Sequence, residues 1–74
     1  MDISEAIKNV RLESILSQEA FAKKLGVSQI TITRWETGKS VPNYSAMQRL
    51  IAYCKKYNIS QGKELSELWR TRNE

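Results

Sequence analysis

The residues with the most chemistry to offer are Gln29, Ile30, Thr33, Arg34 and Thr37. On a helix advancing 100° per residue with Ile32 at zero, Trp35 falls at about 300° and Thr31 at about 260°, while Ile30, Thr33, Arg34 and Thr37 cluster between about 100° and 200°. Ile32 and Trp35 then anchor the helix, and Gln29, Ile30, Thr33, Arg34 and Thr37 face outward or forward. One amide, one aliphatic group, one guanidinium and hydroxyls form a set that matches base edges in a major groove. Gln pairs with adenine, Arg with guanine, and an aliphatic group touches a thymine methyl. The plainer account is a solvated helix face. Such faces favour Glu and Lys, however, and neither occurs between Gln29 and Arg34. No comparable set exists for catalysis. The chain has no histidine, one cysteine and scattered acidic residues, so no His/Cys metal site, nucleophilic triad or metal-hydrolase motif can be assembled. It is read as non-enzymatic, with no cofactor.

The elements that must hold this ridge are short helices. From Gln18 to Leu25, Phe21, Ala22 and Leu25 give one inward stripe. Gly26 tolerates the left-handed backbone that closes a helix, and Ser28 caps the next one. So short a turn makes the two helices cross steeply, and the small Ala22 leaves room for the crossing. The stretch 18–37 is therefore a helix-turn-helix.

Around it, Ser4 is the expected cap of a first helix carrying Ile3, Ile7 and Val10 and ending near Ser14, with Glu5, Lys8, Asn9 and Glu13 turned to solvent. TGKSVPN, residues 37–43, breaks the third helix into a loop. Asn43 caps a fourth helix with the stripe Tyr44, Met47, Leu50, Ile51 and Cys54. Lys55 and Lys56 suit its C-terminal end, Asn58 is a left-handed stop, and Ile59 turns back into the core. Leu65, Leu68 and Trp69 share one face of a fifth helix, although Gly62 weakens any helix that begins before it. That face either packs Leu65 and Leu68 onto helices 1 and 4 or presents Leu65 and Trp69 to a second subunit or another protein. The fold class is all-α, with five helices.

With 74 residues the expectation is one domain spanning 1–74, a small core, and no second domain to hold an effector pocket. Twelve Lys and Arg against eight Asp and Glu, net +4, favour a polyanionic partner. The single Cys54 excludes an internal disulfide and lies at core spacing with Leu50. No signal peptide, membrane span or lipidation motif is recognised, which points to the cytoplasm.

The run LSQEAFAKKLGVSQITITRWETGKSVP resembles the phage-repressor and Cro type of helix-turn-helix, the XRE family of bacterial regulators. The likeness is carried by Leu16-Ser17-Gln18, Ala22, Leu25-Gly26-Val27-Ser28, Ile32, Trp35-Glu36, Gly38-Lys39 and Pro42, and extends from about Ile7 to Ser60, with residues 61–74 forming a C-terminal helix and short tail. A glycine commonly precedes the Leu-Ser-Gln; here the residue is Ile15. The resemblance implies a lambda-repressor-like domain, with helix 3 reading bases through Gln29, Ile30, Thr33 and Arg34. It implies phosphate contacts from Gln18, Ser28, Thr37, Lys39, Ser40 and Asn43, the amides around Ser40 included. It also implies a structural ion pair between Arg11 and Glu36, the rival being Arg11 free on the surface. The implied function is a sequence-specific transcriptional regulator, a repressor, binding double-stranded DNA as a homodimer. The alternative is an antitoxin whose Leu65/Trp69 face holds a toxin and whose DNA binding is autoregulatory.

Overall fold

Side chains that accept hydrogen bonds from orphan amides start the first four helices. Asp2 accepts from the amide of Glu5, Ser17 from Ala20, Ser28 from Thr31, and Asn43 from Ala46. In the computed structural model, which describes residues 2–72, the helices are α1 (Ile3–Glu13), α2 (Gln18–Leu25), α3 (Gln29–Glu36), α4 (Tyr44–Lys56) and α5 (Gln61–Arg72). The end of the expected tail, Asn73 and Glu74, lies outside the described residues. Five helices and no strand among the described residues make the fold all-α, of the lambda-repressor-like kind. One boundary is corrected: Ser4 sits inside α1 and donates its hydroxyl to Asp2, which is the cap. The aspartate prevails because its charge complements the positive end of the helix as well as filling the cap.

The same four helices end alike. A residue with positive φ follows each one, Ile15 (58°), Gly26 (71°), Gly38 (77°) and Asn58 (54°). The next amide in each case donates to a carbonyl five residues back: Leu16 to Arg11 at 3.3 Å, Val27 to Ala22 at 3.0 Å, Lys39 to Arg34 at 2.9 Å, and Ile59 to Cys54 at 2.8 Å. Ile15 thus adopts the turn that glycine commonly makes, at a cost, because a β-branched residue clashes with its own backbone there. Its side chain is 90% exposed and recovers little by packing. Ile15→Gly should therefore stabilise the protein by roughly 1 kcal/mol, the relieved strain exceeding the extra entropy of an unfolded glycine. A higher urea midpoint at unchanged slope is the expected observation, and an unmoved or lower midpoint would show the turn unstrained.

The core gathers Ala6, Ile7 and Val10 from α1, Phe21, Ala22 and Leu25 from α2, Ile32 and Trp35 from α3, Ala46, Met47, Leu50 and Cys54 from α4, and Leu65 from α5. Tyr44, expected in the α4 stripe, is 68% exposed. The buried stripe runs through Ala46, Leu50 and Cys54, which leaves Tyr44 about 120° from its centre. Burial raises the Cys54 thiol to about 11, with a smaller contribution from the Glu13 carboxylate.

α5 begins at Gln61, ahead of Gly62, and the reason is tertiary. Gly62 is buried, and a Cβ placed on it would lie 2.5 Å from Cys54 Cβ. A bare backbone is what lets α5 lie so close to α4. Gly62→Ala should cost about 1–2 kcal/mol, since the overpacking outweighs the helix propensity that alanine gains. Thermal unfolding measures it, and Cys54→Ala should not rescue the loss, because the offending Cβ remains. Glu13, expected in solvent, is exposed but engaged. Its carboxylate accepts from the Ser60 amide at 2.8 Å, the Ser60 hydroxyl at 2.9 Å and the Gln61 amide at 3.2 Å. These bonds, the Ser60 amide first, hold its pKa below the ordinary glutamate value and fix the end of α1 to the start of α5.

Candidate nucleic-acid interface

α3 is held from below by Ile32, fully buried, and Trp35, 5% exposed. Burying that seam leaves Gln29, Ile30, Thr33, Arg34 and Thr37 exposed along the opposite side. Ile30 is 71% exposed, a large apolar side chain left in water on this face.

The base of the ridge is tied to both other helices of the N-terminal half. Arg11 donates to both oxygens of Glu36, Nε to Oε2 at 2.7 Å and Nη2 to Oε1 at 2.9 Å. Only 12% of the arginine side chain and 4% of the glutamate are exposed, so the rival surface placement of Arg11 is excluded. Arg11 Nη1 also donates to the Leu16 carbonyl at 3.0 Å, which braces the strained turn at Ile15. From α2, Gln18 Nε2 donates to Glu36 Oε1 at 3.1 Å, and Gln18 Oε1 accepts from the Thr33 hydroxyl at 2.8 Å. One glutamate therefore joins α1, α2 and α3, and the chain of bonds reaches the outer ridge at Thr33.

The residues expected to contact phosphates divide by what their hydrogens already do. One hydrogen of the Gln18 amide goes to Glu36, which leaves the other. Asn43 uses its carbonyl oxygen to cap α4 and keeps its NH2 group. Ser28 shares a hydrogen with Thr31 at 2.9 Å and accepts from the Thr31 amide. Thr37 donates its hydroxyl to the Thr33 carbonyl at 2.8 Å, so a phosphate contact from it requires the hydroxyl to turn away from that carbonyl. The amides of Lys39 and Ser40 both turn inward onto the Arg34 carbonyl, at 2.9 and 3.3 Å, because they complete the end of α3. The exposed Lys39 side chain remains, while Ser40 is half-buried in a shallow groove with Asp2, Trp35, Val41 and Leu68.

A protruding helix, seated by its neighbour α2 across a turn at Gly26 and carrying unsatisfied amide and guanidinium groups outward, is the architecture of a DNA reader. Residues 7–60 match the family model described as helix-turn-helix. The chain belongs to the XRE family of helix-turn-helix regulators. Over 78 aligned residues it is 33% identical to the HTH-type transcriptional activator BcrR of Enterococcus faecalis, covering 99% of this chain and 37% of that protein. The chain thus spans about a third of the length of that relative. No solved structure gives a significant match.

Within this helix-turn-helix domain, Leu65 is fully buried in the core, so the Leu65/Trp69 face is reduced to Trp69. Trp69 is half-buried and lines a groove with Tyr44, Met47, Ile51 and Lys55. Arg49 also has a role the sequence did not signal, donating to the Leu25 carbonyl at 3.0 Å and so finishing α2 beside Gly26. No helix among the described residues is long and apolar enough to cross a membrane.

Proposed function

We propose that this helix-turn-helix domain reads a specific duplex sequence by laying α3 in the major groove, with Gln29, Ile30, Thr33 and Arg34 toward the bases. The observation that carries the proposal is the exposed ridge itself: an amide, a guanidinium, a hydroxyl and the apolar Ile30, free of Glu and Lys between Gln29 and Arg34, and braced by the part-buried Arg11–Glu36 pair. Gln18, Lys39 and Asn43, each with a donor still to give, set the register on the phosphates, and Ser28 joins them when Thr31 supplies the hydrogen the two share. The domain comprises residues 1–74 and acts in the cytoplasm without catalysis.

A single module of this size buries a modest interface, so two copies on a short inverted repeat supply the affinity and the palindromic preference. The face around Trp69 and Tyr44 is where the second subunit is placed. The sign of regulation follows from where the operator lies relative to a promoter. Repression is one outcome, and the relative named an activator represents the other. The toxin-binding alternative needed Leu65 on the surface, and no observation now favours it.

Selection of bound duplexes from a random pool, combined with sedimentation, tests this function. An enriched inverted repeat carrying two chains is expected; equal retention of all duplexes, or none at low salt, would refute it. Lys39→Ala should weaken cognate and random duplexes alike and lower the slope of log K against log salt by about 1. Loss confined to the cognate sequence would show that Lys39 reads bases instead.

A further inference from the structure

We propose that Gln18 is a positioning residue for base specificity: by holding the hydroxyl hydrogen of Thr33, it makes that threonine a pure acceptor that selects adenine or cytosine over guanine or thymine. This rests on the groove placement of α3 given above and names what one of its residues reads.

The chain of bonds starts inside the protein. Glu36 is chelated by Arg11 as a carboxylate, so both its oxygens accept and neither donates. The Gln18 amide, 3.1 Å from Oε1, must turn its nitrogen toward Glu36, because the flipped orientation would set acceptor against acceptor. Gln18 Oε1 is thereby fixed on the other side, 2.8 Å from the Thr33 hydroxyl. An amide oxygen cannot donate, so the hydrogen between them belongs to Thr33. The other oxygen near that hydroxyl is the Gln29 carbonyl at 3.2 Å, again only an acceptor. Thr33 has one hydrogen, and both of its partners draw it toward the protein. The exposed side of the residue is left with oxygen lone pairs and a methyl group.

Base edges in the major groove differ in the sign that matters here. Adenine and cytosine present amino donors, whereas guanine O6 and N7 and thymine O4 are acceptors. A hydroxyl that can only accept is complementary to the first pair and opposed by the second.

The test is a parallel selection from random duplexes with the wild type, Thr33→Val and Gln18→Met, each first confirmed by circular dichroism to be folded at the selection temperature. The wild-type motif should contain one position enriched about fivefold in adenine or cytosine, the worth of one hydrogen bond. Thr33→Val should flatten that position alone. Gln18→Met should weaken all duplexes alike through its lost phosphate contact and, beyond that, let guanine and thymine rise at this one position, since the hydroxyl is then held only by the longer bond, with the base preference at the position read by Arg34 unchanged. The inference is overturned if the position lost in Thr33→Val had favoured guanine or thymine, or if Gln18→Met changes nothing or relaxes every position together. A wild type that enriches no motif at all would remove the groove placement and this inference with it.

Discussion

Replacing Glu36 with alanine should lower folding stability by about 3 kcal/mol and the Tm by on the order of 15 °C. The cost comes from what is left behind. Arg11, 12% exposed, would keep its charge with no carboxylate facing it, and the Gln18 amide would lose its acceptor. Removing one member of a buried pair is worse than removing both, because an unpaired charge cannot recover its hydration. The double variant Arg11→Met/Glu36→Leu should therefore lose less than either single truncation. The loss should also extend to the DNA-binding surface, because Glu36 orients Gln18 and Gln18 orients Thr33. Thermal unfolding of the single and double variants measures both the cost and the coupling. A Glu36→Ala loss below about 1 kcal/mol would place the pair among ordinary surface salt bridges.

What the sequence disclosed and what it withheld separate along physical lines. The inward placement of Ile32 and Trp35 and the outward placement of Gln29, Ile30, Thr33 and Arg34 follow from a 3.6-residue period, which is local. The caps at Ser17, Ser28 and Asn43 and the left-handed stops at Gly26 and Asn58 are local too. Arg11 and Glu36 lie 25 residues apart with no periodicity between them, so only the family resemblance suggested their pairing. Glu13 and Ser60, 47 residues apart, were not suggested at all: an acidic residue on a polar face looks the same whether it meets water or a helix start. Gly62 hides its role for a related reason. Propensity counts the missing side chain as a loss, whereas the contact with Cys54 makes it a requirement. The direction of a hydroxyl hydrogen leaves no trace in residue type. That the Thr37 hydroxyl and the amides of Lys39 and Ser40 close the end of α3 is equally invisible in residue type.

Arg34→Ala should weaken binding to the selected duplex by about 1–3 kcal/mol, roughly 5- to 150-fold, while random duplex loses only what one nearby positive charge supplies. The asymmetry follows from what the two halves of this residue do. Its carbonyl secures the turn after α3, accepting from Lys39 and Ser40, and alanine keeps that carbonyl. Its exposed side chain makes no ion pair among the described residues, so folding should be indifferent to its removal. What the substitution deletes is the guanidinium fork proposed to read guanine. Arg34→Lys sharpens the test, because it retains the charge but not the planar pair of donors. It should bind random duplex like the wild type yet lose preference at one base pair. Equal losses on selected and random duplex for Arg34→Ala, or full preference in Arg34→Lys, would mean that Arg34 serves the phosphates, and base recognition would then fall to Gln29, Ile30 and Thr33.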